Sequence, residues 1–136
     1  MALAAAEDST SLVAFTLPGT PYSVRMARFY VRAALTYHGL DDYAEDAEAV
    51  ASELVTNAIA HASAAAVNLE LMHLDDSDAI VVVVTDPSPL PPVKRHPPAG
   101  AEHGRGLHVV EALSARWGWT PQPPGKAVFA VFTRNS

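Results

Sequence analysis

A chain of 136 residues, 49% hydrophobic, 18% charged and free of cysteine, is long enough to bury one core and lies on the folded side of the disorder boundary. The lack of cysteine excludes a disulfide scaffold, a thiol nucleophile, an iron–sulfur cluster and a cysteine-based zinc site, and suits a reducing, cytoplasmic setting. Nine Lys plus Arg against fifteen Asp plus Glu, a formal charge of −6, argue against nucleic acid as the main partner, because phosphate contacts dominate that affinity.

The opening MALAAAEDSTS has no basic n-region and acids interrupt it early, so residues 1–10 read as a flexible arm before a single domain over 11–136. The longest apolar runs, Ala79 to Val84 among them, are far below the roughly 18 residues of a membrane span. Leu12 to Leu17 alternate weakly and end at Pro18-Gly19, the pattern of an edge strand and turn. Thr20-Pro21 then reads as an N-cap with proline at the first helical position, and Gly39 as the stop. Between them Val24, Ala27, Val31 and Leu35 recur at helical spacing, while Arg25, Arg28 and Arg32 form a second stripe. That stripe is either a solvated face or a docking surface for an acidic protein.

Asp42 and Glu45 make a capping-box-like pair that opens a second helix running through Ala62, with Ala47, Ala51, Leu54, Val55, Ala58 and Ala62 as its buried arc. Residues 65–73 alternate as a half-buried strand, residues 75–78 make a polar turn, and Ala79 to Asp86 is an apolar, β-branched central strand. Six of the eleven prolines fall between Pro87 and Pro98, a stretch that can be neither helix nor paired strand. Gly104 and Gly106 precede a helical pattern of Leu107, Val110, Leu113 and Trp117 that stops near Gly118, and Lys126 to Thr133 alternates as the last strand. The order predicts an α/β (α+β) two-layer sandwich, a mainly antiparallel mixed sheet covered on one face by helices.

Three segments carry polar groups suited to chemistry. Glu53, Asn57 and His61 recur four apart, about 40° from one another around the helix axis, and form one polar stripe beside the buried arc. Carboxylate and amide oxygens one turn apart suit a hard cation or an ordered water; an ordinary solvated face gives the same pattern. Asp86 closes the apolar strand, where its carboxylate can accept from an exocyclic amine such as adenine's, or simply start an Asx turn. In Gly104-Arg105-Gly106-Leu107 the glycines allow close backbone approach and the helix N-terminus offers free N–H groups to an anion; a plain turn into the helix is the alternative. Gly125-Lys126-Ala127 lacks the upstream glycine and hydroxyl of a P-loop, and no dinucleotide fingerprint is present. His96, His103 and His108 lack paired ligand spacing, which argues against a histidine metal site.

Taken in order, ELVTNAIAHA, VVVVTDPS, a long loop, GRGLHVVEALSARWG and GKAVFAVF resemble the histidine-kinase-like ATPase superfamily (GHKL), over about residues 10 to 134. Within it the chain is similar to the short stand-alone bacterial anti-sigma-factor serine kinases. The resemblance implies a Bergerat-type ATP-binding fold, with residues 87–103 as a lid over the nucleotide. It makes Glu53 the acid that polarises the attacking group and Asn57 the Mg²⁺ ligand. Asp86 becomes the acid that recognises adenine, and His61, Ser88, Gly104, Arg105, Gly106, Leu107 and Lys126 join the nucleotide-binding set. The implied partners are a sigma factor and an anti-anti-sigma factor whose serine receives the γ-phosphoryl, with a homodimer as a further expectation and no membrane. Asp86-Pro87-Ser88 departs from the family's Asp-x-Gly, and Ala62 replaces a glycine often found after the N-box histidine. A non-catalytic, nucleotide-gated protein-binding module is therefore the alternative. The acidic total does not oppose a nucleotide, because a helix N-terminus, Arg105 and Mg²⁺ held through Asn57 would supply a local positive field.

Overall fold

Period-two alternation decides which way each strand faces, and the computed structural model shows the result for residues 8–62, 65–92 and 106–134, without the side chains of His61 and Ala62. The elements are β1 (Ser9–Pro18), α1 (Tyr22–Tyr37), a 3-10 turn (Asp41–Tyr43), α2 (Ala44–Ala62), β2 (Ala66–Leu74), β3 (Ala79–Asp86), α3 (Gly106–Leu113), β4 (Arg116–Gln122) and β5 (Gly125–Phe132). The strands form one sheet in the order β1-β2-β3-β5-β4, and every pair is antiparallel. The expected parallel component is thus absent among the described strands.

Ile80, Val82 and Val84 of β3 face the same side as Leu69 and Leu71 of β2 and Val128, Ala130 and Phe132 of β5, and all of them are buried under the helices. α2 packs on the central strand β3, with α1 on one flank and α3 on the other. Its contact face is rich in alanine (Ala44, Ala47, Ala51, Ala58) with Val50, Leu54 and Val55 between them, which allows close approach to the sheet. Each fully buried Val or Leu contributes about 1.5–3 kcal/mol relative to exposure. The opposite face carries a smaller cluster of Leu74, Ala79, Val81 and Val131, with Met72, Val83 and Phe129 against it.

α1 starts and stops by local devices. The Thr20 side chain does not cap it and Pro21 holds the N-cap position. Instead Ser23 Oγ donates to the Pro18 carbonyl at 2.6 Å, closing the turn out of β1. At the other end Gly39 takes φ +72°, and the amides of Gly39 and Leu40 return to the carbonyls of Thr36 and Leu35, a Schellman motif in which glycine avoids the left-handed penalty. Of the arginine stripe, Arg28 and Arg32 both pair with Glu48 of α2, whose side chain is 11% exposed. Two of the three arginines therefore tie α1 to α2 while staying exposed to solvent, as Arg25 does.

Two element boundaries differ from the expectation. Asp42 lies in the 3-10 turn and pairs with Arg134 instead of capping α2. α3 ends at Leu113, where Ser114 Oγ donates to the Val110 carbonyl at 2.6 Å and the Ala115 amide joins the sheet through Val131 O at 2.8 Å. Trp117 reaches the same core from β4, so its spacing from Leu113 satisfied a helical pattern without belonging to one.

The sheet end that holds Asp78 is tied by a polar cluster. Tyr43 Oη donates to the Asp78 carbonyl, Arg134 Nε to Asp78 Oδ2 at 2.7 Å, and His73 Nε2 lies 2.7 Å from Asp78 Oδ1. Hydrogen bonds from His73 and Arg134 hold the Asp78 carboxyl below its ordinary value, while burial and the Asp78 charge push the Tyr43 hydroxyl up. No helix among the described residues is long and apolar enough to cross a membrane.

Candidate functional site

α2 starts beside Asp78 at one end of the sheet and leads into β2, whose first residues lie at the other end, near Thr85 and Asp86. The later turns of α2 thus approach the C-terminal end of β3. Leu54, Val55 and Ala58 are buried there, and Glu53 and Asn57 stand half-buried beside them. Both reach the first residue of α3. A Cβ placed on Gly106 would lie 3.1 Å from Asn57 Oδ1, 3.1 Å from Glu53 Oε1 and 3.2 Å from Asn57 Nδ2. Only a bare backbone leaves these side chains their positions, and the first amides of a helix, which have no intrahelical partner, are placed beside a carboxylate and an amide oxygen. Gly104, Arg105 and the His61 side chain lie outside the described residues, as do residues 93–103 of the expected lid. Leu107 is in the core, 3% exposed, so its backbone is what it can offer a ligand.

The second half of the site joins β3 to β5. Asp86 continues the helix-facing row of Ile80, Val82 and Val84, and Lys126 stands directly opposite it in register. Their side chains are 3% and 8% exposed, with Lys126 Nζ donating to Asp86 Oδ1 at 3.1 Å. The Ser88 amide donates to the same Oδ1 at 2.8 Å, which is the Asx turn, and Lys126 Nζ also donates to the Ser88 carbonyl at 3.3 Å. Gly125 makes this possible: a Cβ there would fall 1.9 Å from the Asp86 carbonyl oxygen and 2.6 Å from Pro87. Pro87 itself provides no N–H, and the next amide, that of Ser88, serves the carboxylate. The Asp86–Lys126 ion pair could not be read from the residues, because it depends on β3 and β5 being neighbours.

Chemically, the α2–α3 contact offers a carboxylate, an amide oxygen and helix N–H groups, a set that suits phosphate oxygens and a hard cation. The β3–β5 corner offers a carboxylate and an ammonium within an apolar wall. No cluster of three or more His, Asp or Glu suited to a metal occurs among the described residues; the oxygens that would suit a divalent ion here are Asn57 Oδ1 and Glu53 Oε1, side by side at Gly106. Elsewhere among the described residues lie a cavity of about 440 Å³ lined by Tyr43, Leu113, Phe132 and Arg134 and a groove of about 410 Å³ between β1 and α1.

A family model described as the histidine kinase-like ATPase domain matches residues 17–132, which hold both halves of the site. The chain belongs to the histidine kinase-like ATPase family. No curated protein matches it. Among solved structures, the RsbU and RsbW domains of Rv1364c from Mycobacterium tuberculosis are similar, with a TM-score of 0.67 at 20% identity over 89% of this chain. The match spans 32% of that chain, about a third of its length, and shows a shared fold. In this histidine kinase-like ATPase domain, the five-stranded antiparallel sheet under three helices of the described residues is the fold it shares with that structure.

Proposed function

We propose that this domain binds ATP with Mg²⁺ and acts as an anti-sigma-factor serine kinase, moving the γ-phosphoryl to a serine of an anti-anti-sigma partner. The observation that supports the reading best is the convergence of Glu53 and Asn57 on the backbone of Gly106. In this arrangement the amides at the start of α3 would face the phosphates and Asn57 Oδ1 would hold the cation. Mg²⁺ when bound supplies charge neutralisation along the triphosphate. Glu53 accepts the proton of the incoming serine hydroxyl; the serine oxygen bonds to the γ-phosphorus as the bond to the β-phosphate oxygen breaks, and ADP leaves. Few side chains are needed, because phosphoryl transfer depends mainly on positioning and charge. The reading includes a sigma factor as the second protein partner, possession of a homodimeric state, and a cytoplasmic location.

One observation favours a second reading. Asp86 is already engaged by Lys126 and by the Ser88 amide, and Pro87-Ser88 stands where the family has x-Gly, which suits a domain that binds nucleotide to order its lid without transferring phosphate. Incubation with γ-labelled ATP and a serine-bearing anti-anti-sigma protein separates the two. Label transfer that Glu53→Gln removes supports the kinase; saturable ATP binding with no transfer supports the module.

A further inference from the structure

Resting on the reading of the site as an ATP site, we propose that Lys126 is a specificity-determining residue that donates directly to ring nitrogen N1 of adenine, while Asp86 takes the neighbouring exocyclic amine. The carboxylate and the ammonium sit side by side at the end of adjacent strands, on the helix-facing side of the sheet, and both are buried. An ammonium has three N–H donors. Contacts to Asp86 Oδ1 and the Ser88 carbonyl account for two of them, and the base takes the third.

The acceptor side selects among purines. Asp86 Oδ1 accepts from Lys126 and from the Ser88 amide, which uses the two lone pairs of that oxygen. Recognition of a base then falls to Oδ2. One oxygen matches the single amine at C6 of adenine, and the adjacent N1 acceptor meets Lys126. Guanine presents two neighbouring N–H donors on that edge and needs both carboxylate oxygens, so it fits this corner poorly. The cross-strand register holds the two groups together, and the close approach of Gly125 to the Asp86–Pro87 peptide fixes the backbone that carries them.

The test compares nucleotides on the unaltered chain with Mg²⁺ by calorimetric titration: ATP, 1-deaza-ATP, 7-deaza-ATP and GTP. Loss of N1 weakens binding by about ten- to a hundred-fold, as expected for one hydrogen bond to a charged group, whereas 7-deaza-ATP binds like ATP and GTP binds more weakly. In Lys126→Met, checked for folding by its thermal transition, ATP itself is weakened and the difference between ATP and 1-deaza-ATP disappears. Equal binding of ATP and 1-deaza-ATP by the unaltered chain, or full discrimination retained in Lys126→Met, overturns the role of Lys126 and leaves the ATP site standing, whereas a preference for GTP overturns adenine recognition by both Asp86 and Lys126. Should the unaltered chain bind none of the four, the ATP reading fails and the base contact fails with it. The analogue series on the unaltered chain decides the matter even if the variant does not fold.

Discussion

Breaking the Asp86–Lys126 pair one partner at a time should cost far more than removing both. The side chains are 3% and 8% exposed and 3.1 Å apart, so either group left alone keeps a charge out of water with no counter-ion. Loss of one partner from a buried pair costs about 3–5 kcal/mol. Lys126→Met also takes a donor from the Ser88 carbonyl, which puts it toward the upper end. Asp86→Asn keeps an acceptor oxygen for the Ser88 amide and falls toward the lower end. For a domain of this length about 4 °C of melting temperature accompanies each kcal/mol, so the single variants should melt about 12–20 °C lower. The double variant Asp86→Asn/Lys126→Met buries no charge and should recover most of that loss, because replacing both ions by groups of similar volume is often close to neutral. Urea denaturation of the four proteins gives the coupling directly, expected at about 3 kcal/mol or more. A double variant destabilised by the sum of the single losses would show that the two groups act independently and are not a coupled pair.

Gly106→Ala should leave stability within about 1 kcal/mol, as the new methyl meets side chains rather than backbone, yet reduce ATP affinity about ten-fold by moving Glu53 and Asn57; calorimetry beside a thermal melt checks both. Gly125→Ala should destabilise by about 3 kcal/mol or more, because its Cβ would meet the backbone of Asp86 and Pro87 and the strand pair must shift; urea denaturation measures it. The folded Asp78 carboxyl is held below its ordinary value of 3.8 by His73 and Arg134. Its contribution is therefore present above the unfolded value and is lost as pH falls through the folded one. Asp78→Asn should accordingly be less stable than the parent at pH near 7 and approach it below about pH 4, as urea melts at the two pH values would show.

The parts legible from the residues were those that depend on local periodicity. The apolar, β-branched run of β3 places Asp86 at a strand end, and the four-residue spacing on α2 puts Glu53 and Asn57 on one stripe beside a buried arc, as the structure shows. β4 was missed because Trp117 extends the Leu107, Val110, Leu113 spacing by one more helical step. Its own alternation is short, and Pro121 lies within it. Contacts between distant segments were beyond reach for a different reason. Asp42 resembles a helix cap locally, but Arg134, 92 residues away, draws its carboxylate elsewhere. Lys126 and Asp86 are 40 residues apart, and only the strand order makes them neighbours. The arginine stripe on α1 follows from helical spacing, while the pairing of Arg28 and Arg32 with Glu48 of α2 depends on how the helices pack.

The most direct test of the central claim is calorimetric titration of ATP, in the presence of Mg²⁺, into the unaltered chain and into Asn57→Ala. The unaltered chain should bind saturably and the variant should lose Mg²⁺-dependent binding, with both proteins unfolding at closely similar temperatures. No binding by the unaltered chain, or the same affinity in Asn57→Ala, would contradict that claim.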